Sequence, residues 1–180
     1  ETQIVGTDWQ GEGEHATQLI GIPADSSLTA DIVTEDGETL VSCRFYTEPL
    51  PLDLETLTLT GQPSWDGLLA TSFLGRSAAS VVIDEQGAVR WYRLTEPGVL
   101  YRTRFRLDGQ GVTYLLETGS GNADDVSVIA DAGWDGGDAQ VLSGDEHPTH
   151  DFTALEDGTI GFLTSYEIGD SEAKDIANKL

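Results

Sequence analysis

Two stretches of this chain repeat one design 48 positions apart, and the second carries a histidine. Tyr101-Arg-Thr-Arg-Phe-Arg-Leu107 continues into Val112-Thr-Tyr-Leu-Leu-Glu117. Thr149-His-Asp-Phe-Thr-Ala-Leu155 continues into Ile160-Gly-Phe-Leu-Thr-Ser165. Aligning Leu107 with Leu155 and Val112 with Ile160 sets Arg102 on His150. Each copy reads as a short strand, a glycine-containing turn and a second strand. A strand-only repeat at a period of about 45–50 residues is the signature of a β-propeller. In a propeller the innermost strands of successive blades begin at one shared axis. Arg102 and His150 are therefore expected to meet there, despite their separation along the chain.

The rest of the chain supports an all-β reading in three parts. Residues 1–48 read as part of a fibronectin-III-like sandwich. Ala16–Ile22 is expected to be a strand. Leu28–Thr34 and Thr39–Tyr46 flank Glu35-Asp-Gly-Glu38, and Asp-Gly between alternating strands is a strong hairpin signal. The corner Gly21-Ile-Pro-Ala-Asp25 fits the last three strands of such a sandwich, with Leu28 where these domains often place a tyrosine. Residues 49–56 form a linker stiffened by Pro49 and Pro51. Residues 57–180 read as an incomplete propeller of about two and a half blades. Its first unit takes Leu57–Thr60 as inner strand, then Leu68–Leu74 and a hairpin of Ala79–Ile83 with Ala88–Tyr92. A second unit spans 101 to about 143, with Val126–Ile129 and Ala139–Leu142 outermost, and a third starts at 149. A propeller must close into a ring. The expectation is thus a fragment, completed by further blades or by other chains.

Composition narrows the function classes. The chain has 32 acidic and 9 basic residues, a net charge of −23. Its two lysines, Lys174 and Lys179, lie in the last seven residues. A nucleic-acid groove needs clustered cations, so that class is set aside, and so is adsorption to an anionic membrane. No apolar run approaches the length of a membrane span. The acidity fits solubility of a secreted protein, a salty habitat or calcium binding. Cys43 is the single cysteine and has no internal disulfide partner; a lone strand cysteine is usually a small buried hydrophobe.

Chemistry gathers around Gly144-Asp-Glu-His-Pro-Thr-His-Asp-Phe-Thr-Ala-Leu-Glu-Asp-Gly158. His-Asp-Phe followed by Leu-Glu-Asp-Gly and an apolar strand resembles the bacterial arylsulfotransferases, the PAPS-independent aryl-sulfate sulfotransferases. The hairpin Val81-Val-Ile-Asp-Glu-Gln-Gly-Ala-Val-Arg-Trp-Tyr92 resembles that family's outer hairpin. So does the order of a small sandwich, a Leu-Pro linker and Thr-Leu-Thr leading into the first blade. The resemblance implies a propeller whose central histidines and arginine hold sulfate, with one histidine transiently sulfated as the group passes from a phenyl sulfate to a phenol. It also implies a periplasmic or extracellular location and small aryl sulfates and phenols as partners. Family members often show two adjacent histidines before the Asp. Here Thr149 takes the first place, and His147 is the nearest substitute.

His150, Arg102 and His147 are the candidate site residues. Sulfuryl transfer builds charge on the non-bridging oxygens and the leaving phenolate, which arginine or protonated histidine stabilises. Neutral imidazole can also attack sulfur near neutral pH. The bland alternative makes His150 a strand-start residue bonding a neighbouring loop, with Asp151 as partner. Arg102, Arg104 and Arg106 alternate along one strand, which sets all three on one face and Tyr101, Thr103, Phe105 and Leu107 on the other. For Arg104 and Arg106 the favoured reading is pairing with acids of the adjacent blade. Trp65, Trp91 and Trp134 are expected to pack between blades. His15 reads as a surface residue. Asn122, Asp124, Asp125, Asp131, Asp135 and Asp138 offer oxygens to calcium, but the D-x-[DN]-x-[DN]-G pattern is absent, which favours solvated turns. No other cofactor is expected. The isolated chain is expected not to turn over, its ring being open. The alternative function is a non-enzymatic secreted or cell-surface module that binds or assembles with other chains through open sheet edges.

Overall fold

One four-residue turn recurs among the described residues. In Thr34–Gly37, Asp84–Gly87 and Leu155–Gly158 the glycine N–H bonds back to the first carbonyl, at 2.9 Å in each. Each glycine has φ near +85° (86°, 83° and 84°), a conformation in which a side chain is strained. This is the type I turn closed by a left-handed residue that joins adjacent antiparallel strands. The spacing of such turns between alternating apolar segments makes the chain all-β. The computed structural model describes residues 19–61, 64, 66–75, 77–95, 98–118, 126–143 and 147–164.

Among them, eleven strands form four antiparallel sheets. The first is the hairpin β1 (Ser27–Val33) and β2 (Thr39–Tyr46). A short helical turn, α1 (Leu52–Glu55), follows in the linker. The second sheet has the order β3 (Leu68–Leu74), β4 (Ala78–Asp84), β5 (Val89–Leu94). The third runs β6 (Val99–Phe105), β7 (Gly111–Thr118), β8 (Val126–Gly133), β9 (Gln140–Ser143). The fourth pairs β10 (Pro148–Ala154) with β11 (Ile160–Thr164).

The second, third and fourth sheets stack face to face, and the alternation along each strand says which face meets which neighbour. All seven residues of β4 are buried. Its Ala79, Val81 and Ile83 pack with Val89 under Leu50 and Leu54 of the linker and Leu57 and Leu59 just after it. On the opposite face Ala78 and Val82 meet Leu100, Val112, Tyr114 and Leu116 of the third sheet. Ser72 and Ser80 hydroxyls both bond the buried Thr103 hydroxyl at 3.1 Å, satisfying polar groups in that interface. The other face of the third sheet presents Leu115 and Ile129 to Phe152 of β10. Consequently β3 packs beside β6, and β6 beside β10: the first strands of successive sheets are neighbours.

Several expectations need correction. Leu57–Thr60 forms no ladder; Leu57 and Leu59 act as a lid on the β4–β5 core, so the second sheet has three strands. Residues 19–22 are not a strand, and 16–18 lie outside the described residues. Cys43 is exposed, because no described element covers the β1–β2 face that it shares with Ile32 and Val41. Trp91 and Trp134 do bridge two sheets, edge to face with ring centroids 5.4 Å apart. Trp91 Nε1 also donates to the Trp134 carbonyl at 3.3 Å. Trp65 lies outside the described residues.

Candidate anion site between the third and fourth sheets

The three arginines do share a face, and the side chain expected opposite them joins it. Leu100 pairs with Leu116 and Arg102 with Leu115, so Tyr101 is the extra residue of a bulge in β6. A bulge re-aims its side chain. The Tyr101 ring turns toward the fourth sheet, packing with Leu115, Ile129 and Phe152. Burial raises its phenol pKa, and the charge of Glu117 together with a hydrogen bond to it raises it further.

A second bulge lies across from it. Pro148 pairs with Thr164 and Phe152 with Phe162, so three residues of β10 stand opposite one of β11. His150 sits in this bulge with φ 64°, and His147 just before it has φ 48°. Left-handed backbone is uncommon outside glycine and costs strain. The effect is to swing the exposed His150 imidazole onto Tyr101, ring centroids 4.8 Å apart. The Thr149 hydroxyl and His150 Nδ1 share a hydrogen bond of 2.5 Å. Among the described residues Nε2 has no partner.

Beside that pair, Arg102 grips Asp151 with two parallel bonds, Nε and an Nη nitrogen to the two carboxylate oxygens, both 3.0 Å. Arg104 adds a third at 3.3 Å, its guanidinium lying 5.9 Å from the Phe152 ring centroid. The Phe152 amide donates to the same carboxylate at 2.8 Å. Burial pushes the Asp151 carboxyl up, but the bonds from Arg102, Arg104 and the Phe152 amide outweigh it and leave the pKa below its ordinary value. Two guanidiniums thus meet one carboxylate. Among the described residues Arg102 retains three of its five N–H donors and Arg104 four. All three side chains are about 40% exposed, so solvent reaches them.

The structure therefore brings Arg102 and His150 to one seam between β6 and β10, linked through Asp151 and Tyr101. Arg102 meets Asp151, the residue after the one it aligns with by sequence. The cause is a turn. Gly109 N–H bonds Arg106 C=O as Gly158 N–H bonds Leu155 C=O, which makes Arg106 the counterpart of Leu155. The β6–β7 turn holds one more residue than the β10–β11 turn, since Arg106 N–H reaches Gly111 while Leu155 N–H reaches Thr159. Tyr101 thereby matches His150, and Arg102 matches Asp151. Sequence reasoning missed Tyr101 for this reason; the lengths of the two turns were the signal. His147 stays exposed at the start of β10, its carbonyl accepting from the Thr164 hydroxyl at 3.3 Å. Arg104 pairs with the adjacent sheet as expected. Arg106 instead pairs within its own sheet, with Asp108 and with Asp131 at 3.6 Å.

Asp131 also accepts from the Thr113 hydroxyl, and Asp135 from the Gly137 amide, so both serve local structure. Asn122, Asp124, Asp125 and His15 lie outside the described residues. Among those described, no three His, Cys, Asp or Glu side chains gather as a metal site. No described helix is long and apolar enough to cross a membrane. Comparison with protein-family models, curated proteins and solved structures returns no match to this chain.

Proposed function

We propose that the seam between β6 and β10 is the sulfate-ester site of an arylsulfotransferase-like β-propeller. One observation carries this reading: His150 and Arg102 converge on a single solvent-reachable seam, each oriented by a neighbour. The stacking of meandering antiparallel sheets with adjacent first strands supports the propeller. The remaining N–H groups of Arg102 and Arg104 suit the non-bridging oxygens of a sulfate ester, as planar guanidinium forks do. His150 Nε2 is open either to donate to those oxygens or to attack sulfur. If it attacks, the N–S bond forms as the S–O(aryl) bond breaks and the phenolate departs. A phenol oxygen then reverses the exchange, forming the new S–O bond as the N–S bond breaks and the imidazole is released, its proton passing to the phenolate freed in the first step. The Tyr101 ring, anchored through Glu117, offers an apolar wall to an aryl group.

The site as it stands has few walls, and further sheets are required to enclose it and exclude water. The 180-residue chain alone is therefore expected to bind an aryl sulfate without transferring its sulfuryl group. The test is titration with phenyl sulfate followed by NMR of the Tyr101 and His150 rings, alongside a transfer assay to a phenol. Shifts at both rings, weakened in Arg102→Gln and His150→Ala, are the expected result. Absence of shifts at millimolar phenyl sulfate would sink the reading. A second reading, a non-enzymatic binding or assembly module outside the cytoplasm, is favoured by one observation: the Arg102 fork already holds a carboxylate. Binding without transfer, even once further sheets complete the ring, would decide for it.

A further inference from the structure

We infer that Asp151 is the resident anion of this site, seated in the guanidinium fork that an oxyanion ligand takes and displaced when one binds. This rests on the anion-site reading above and adds its regulation. A carboxylate bound through both oxygens to Nε and Nη presents the same two-oxygen edge that a sulfate or sulfate ester would present. The fork cannot serve both at once. Ligand affinity is therefore set by competition with an internal carboxylate tethered at high effective concentration.

The backbone allows the exchange. Residues 149–151 lie between the Pro148–Thr164 and Phe152–Phe162 ladder pairs, inside the bulge. Swinging Asp151 away breaks no paired rung of β10 and β11. Its three side-chain partners are Arg102, Arg104 and the Phe152 amide, and the first two would transfer their bonds to the incoming anion. Because the seam would gain a net positive charge once Asp151 leaves, a doubly or singly charged oxyanion is accepted while a neutral phenol is not. The internal carboxylate thus screens the fork against weakly bound anions. It admits those that gain extra contacts, from His150 Nε2 or from the Tyr101 ring.

The experiment is a titration of the folded 180-residue chain with phenyl sulfate and, separately, inorganic sulfate at fixed ionic strength. Affinity is read from NMR shifts at Tyr101 and His150. Asp151→Asn removes the competing charge, and Asp151→Ser is the second variant should the first fold poorly. Glu156→Gln, in the exposed turn at the far end of the β10–β11 hairpin, controls for the loss of one negative charge. Either Asp151 variant is expected to bind both anions about five- to tenfold more tightly, the range set by one charge-assisted pair at a partly exposed site, with Glu156→Gln within about twofold of the parent. If the parent binds phenyl sulfate and the Asp151 variants bind no more tightly, or lose binding, Asp151 is an orienting partner and the inference is overturned while the sulfate-ester reading stands. If all variants tighten alike, including Glu156→Gln, the effect is general charge and the inference is again overturned. If neither parent nor variants bind either anion, the reading beneath it falls as well.

Discussion

Phe152→Ala should release the fourth sheet from the third while leaving the rest of the stack folded. Phe152 is 3% exposed and packs against the buried Leu115 and Ile129; of the other β10 residues only Pro148 is also buried. Truncating a buried phenylalanine costs about 3–5 kcal/mol through lost transfer energy and the cavity left behind. The Arg102 and Arg104 pairs with Asp151 are half-exposed, and such pairs contribute about 0.2–1 kcal/mol each. Tyr101, Ile160 and Phe162 are only partly buried there. The loss exceeds what remains, so β10 and β11 should open independently. Amide hydrogen exchange resolves this: protection in Phe152–Ala154 and Ile160–Thr164 should fall by two or more orders of magnitude, while Val81, Leu115 and Ile129 keep theirs. The Tyr101–His150 ring contact should vanish from the NMR spectrum at the same time. Phe152→Leu, which keeps most of the volume, should cost under about 1.5 kcal/mol and preserve both. Uniform loss of protection across β4, β7 and β10 would refute the reasoning, since it would mean that the sheets unfold as one unit.

Two further predictions concern the second and third sheets. The Asp84 carboxylate is nearly buried and accepts from the Gln86 and Ala88 amides at 3.0 and 2.8 Å and from Arg90 Nε at 2.7 Å. Burial raises its pKa, but those bonds and the Arg90 charge together leave it below 3.8. A depressed folded value means stability that is complete above about pH 4 and lost as pH falls through the lowered value. Thermal melts of the parent between pH 6 and 2 should show that loss, and Asp84→Asn, destabilised by about 2 kcal/mol at pH 7, should show a shallower acid decline; parallel curves would refute the assignment. Gly111→Ala would set a methyl 2.0 Å from the Ala132 carbonyl oxygen on the paired strand, a backbone atom that cannot step aside. Urea denaturation should show a loss of about 2–3 kcal/mol, and an unchanged midpoint would contradict the β7–β8 approach.

The strands were legible because their signals are local. Alternation, Asp-Gly and Gln-Gly turns and β-branched runs located β1 to β11 without tertiary information. The failures have a common physical origin in packing. Thr-Leu-Thr at 58–60 alternates like a strand, yet the buried Leu54 and the β4–β5 face recruit Leu57 and Leu59 as cover instead of pairing them. Cys43 looks like a core residue only if something lies over its hairpin. At the candidate site, the arginine face was readable from the period of two. Tyr101 was not, because a bulge moves its side chain across the sheet; only the unequal lengths of the β6–β7 and β10–β11 turns point to its register with His150.

That one-residue displacement decides what the seam can do. Had Arg102 faced His150, two cationic or hydrogen-bonding groups would meet with no acid between them, an arrangement that the chain's net charge of −23 would draw toward some other carboxylate. With Arg102 facing Asp151, the guanidinium is held in one orientation, and His150 rests on an aromatic ring. Three of the chain's nine basic residues stand on five consecutive positions, 102 to 106, and each has a carboxylate partner. In so acidic a protein, pairing is the expected fate of any arginine. What distinguishes Arg102 and Arg104 from Arg106 is stoichiometry. They share one acid between two, whereas Arg106 has both Asp108 and Asp131 to itself. A surplus positive charge beside an imidazole nitrogen with no partner among the described residues is where an anion would be bound, and the strength of that binding turns on how firmly Asp151 holds its place.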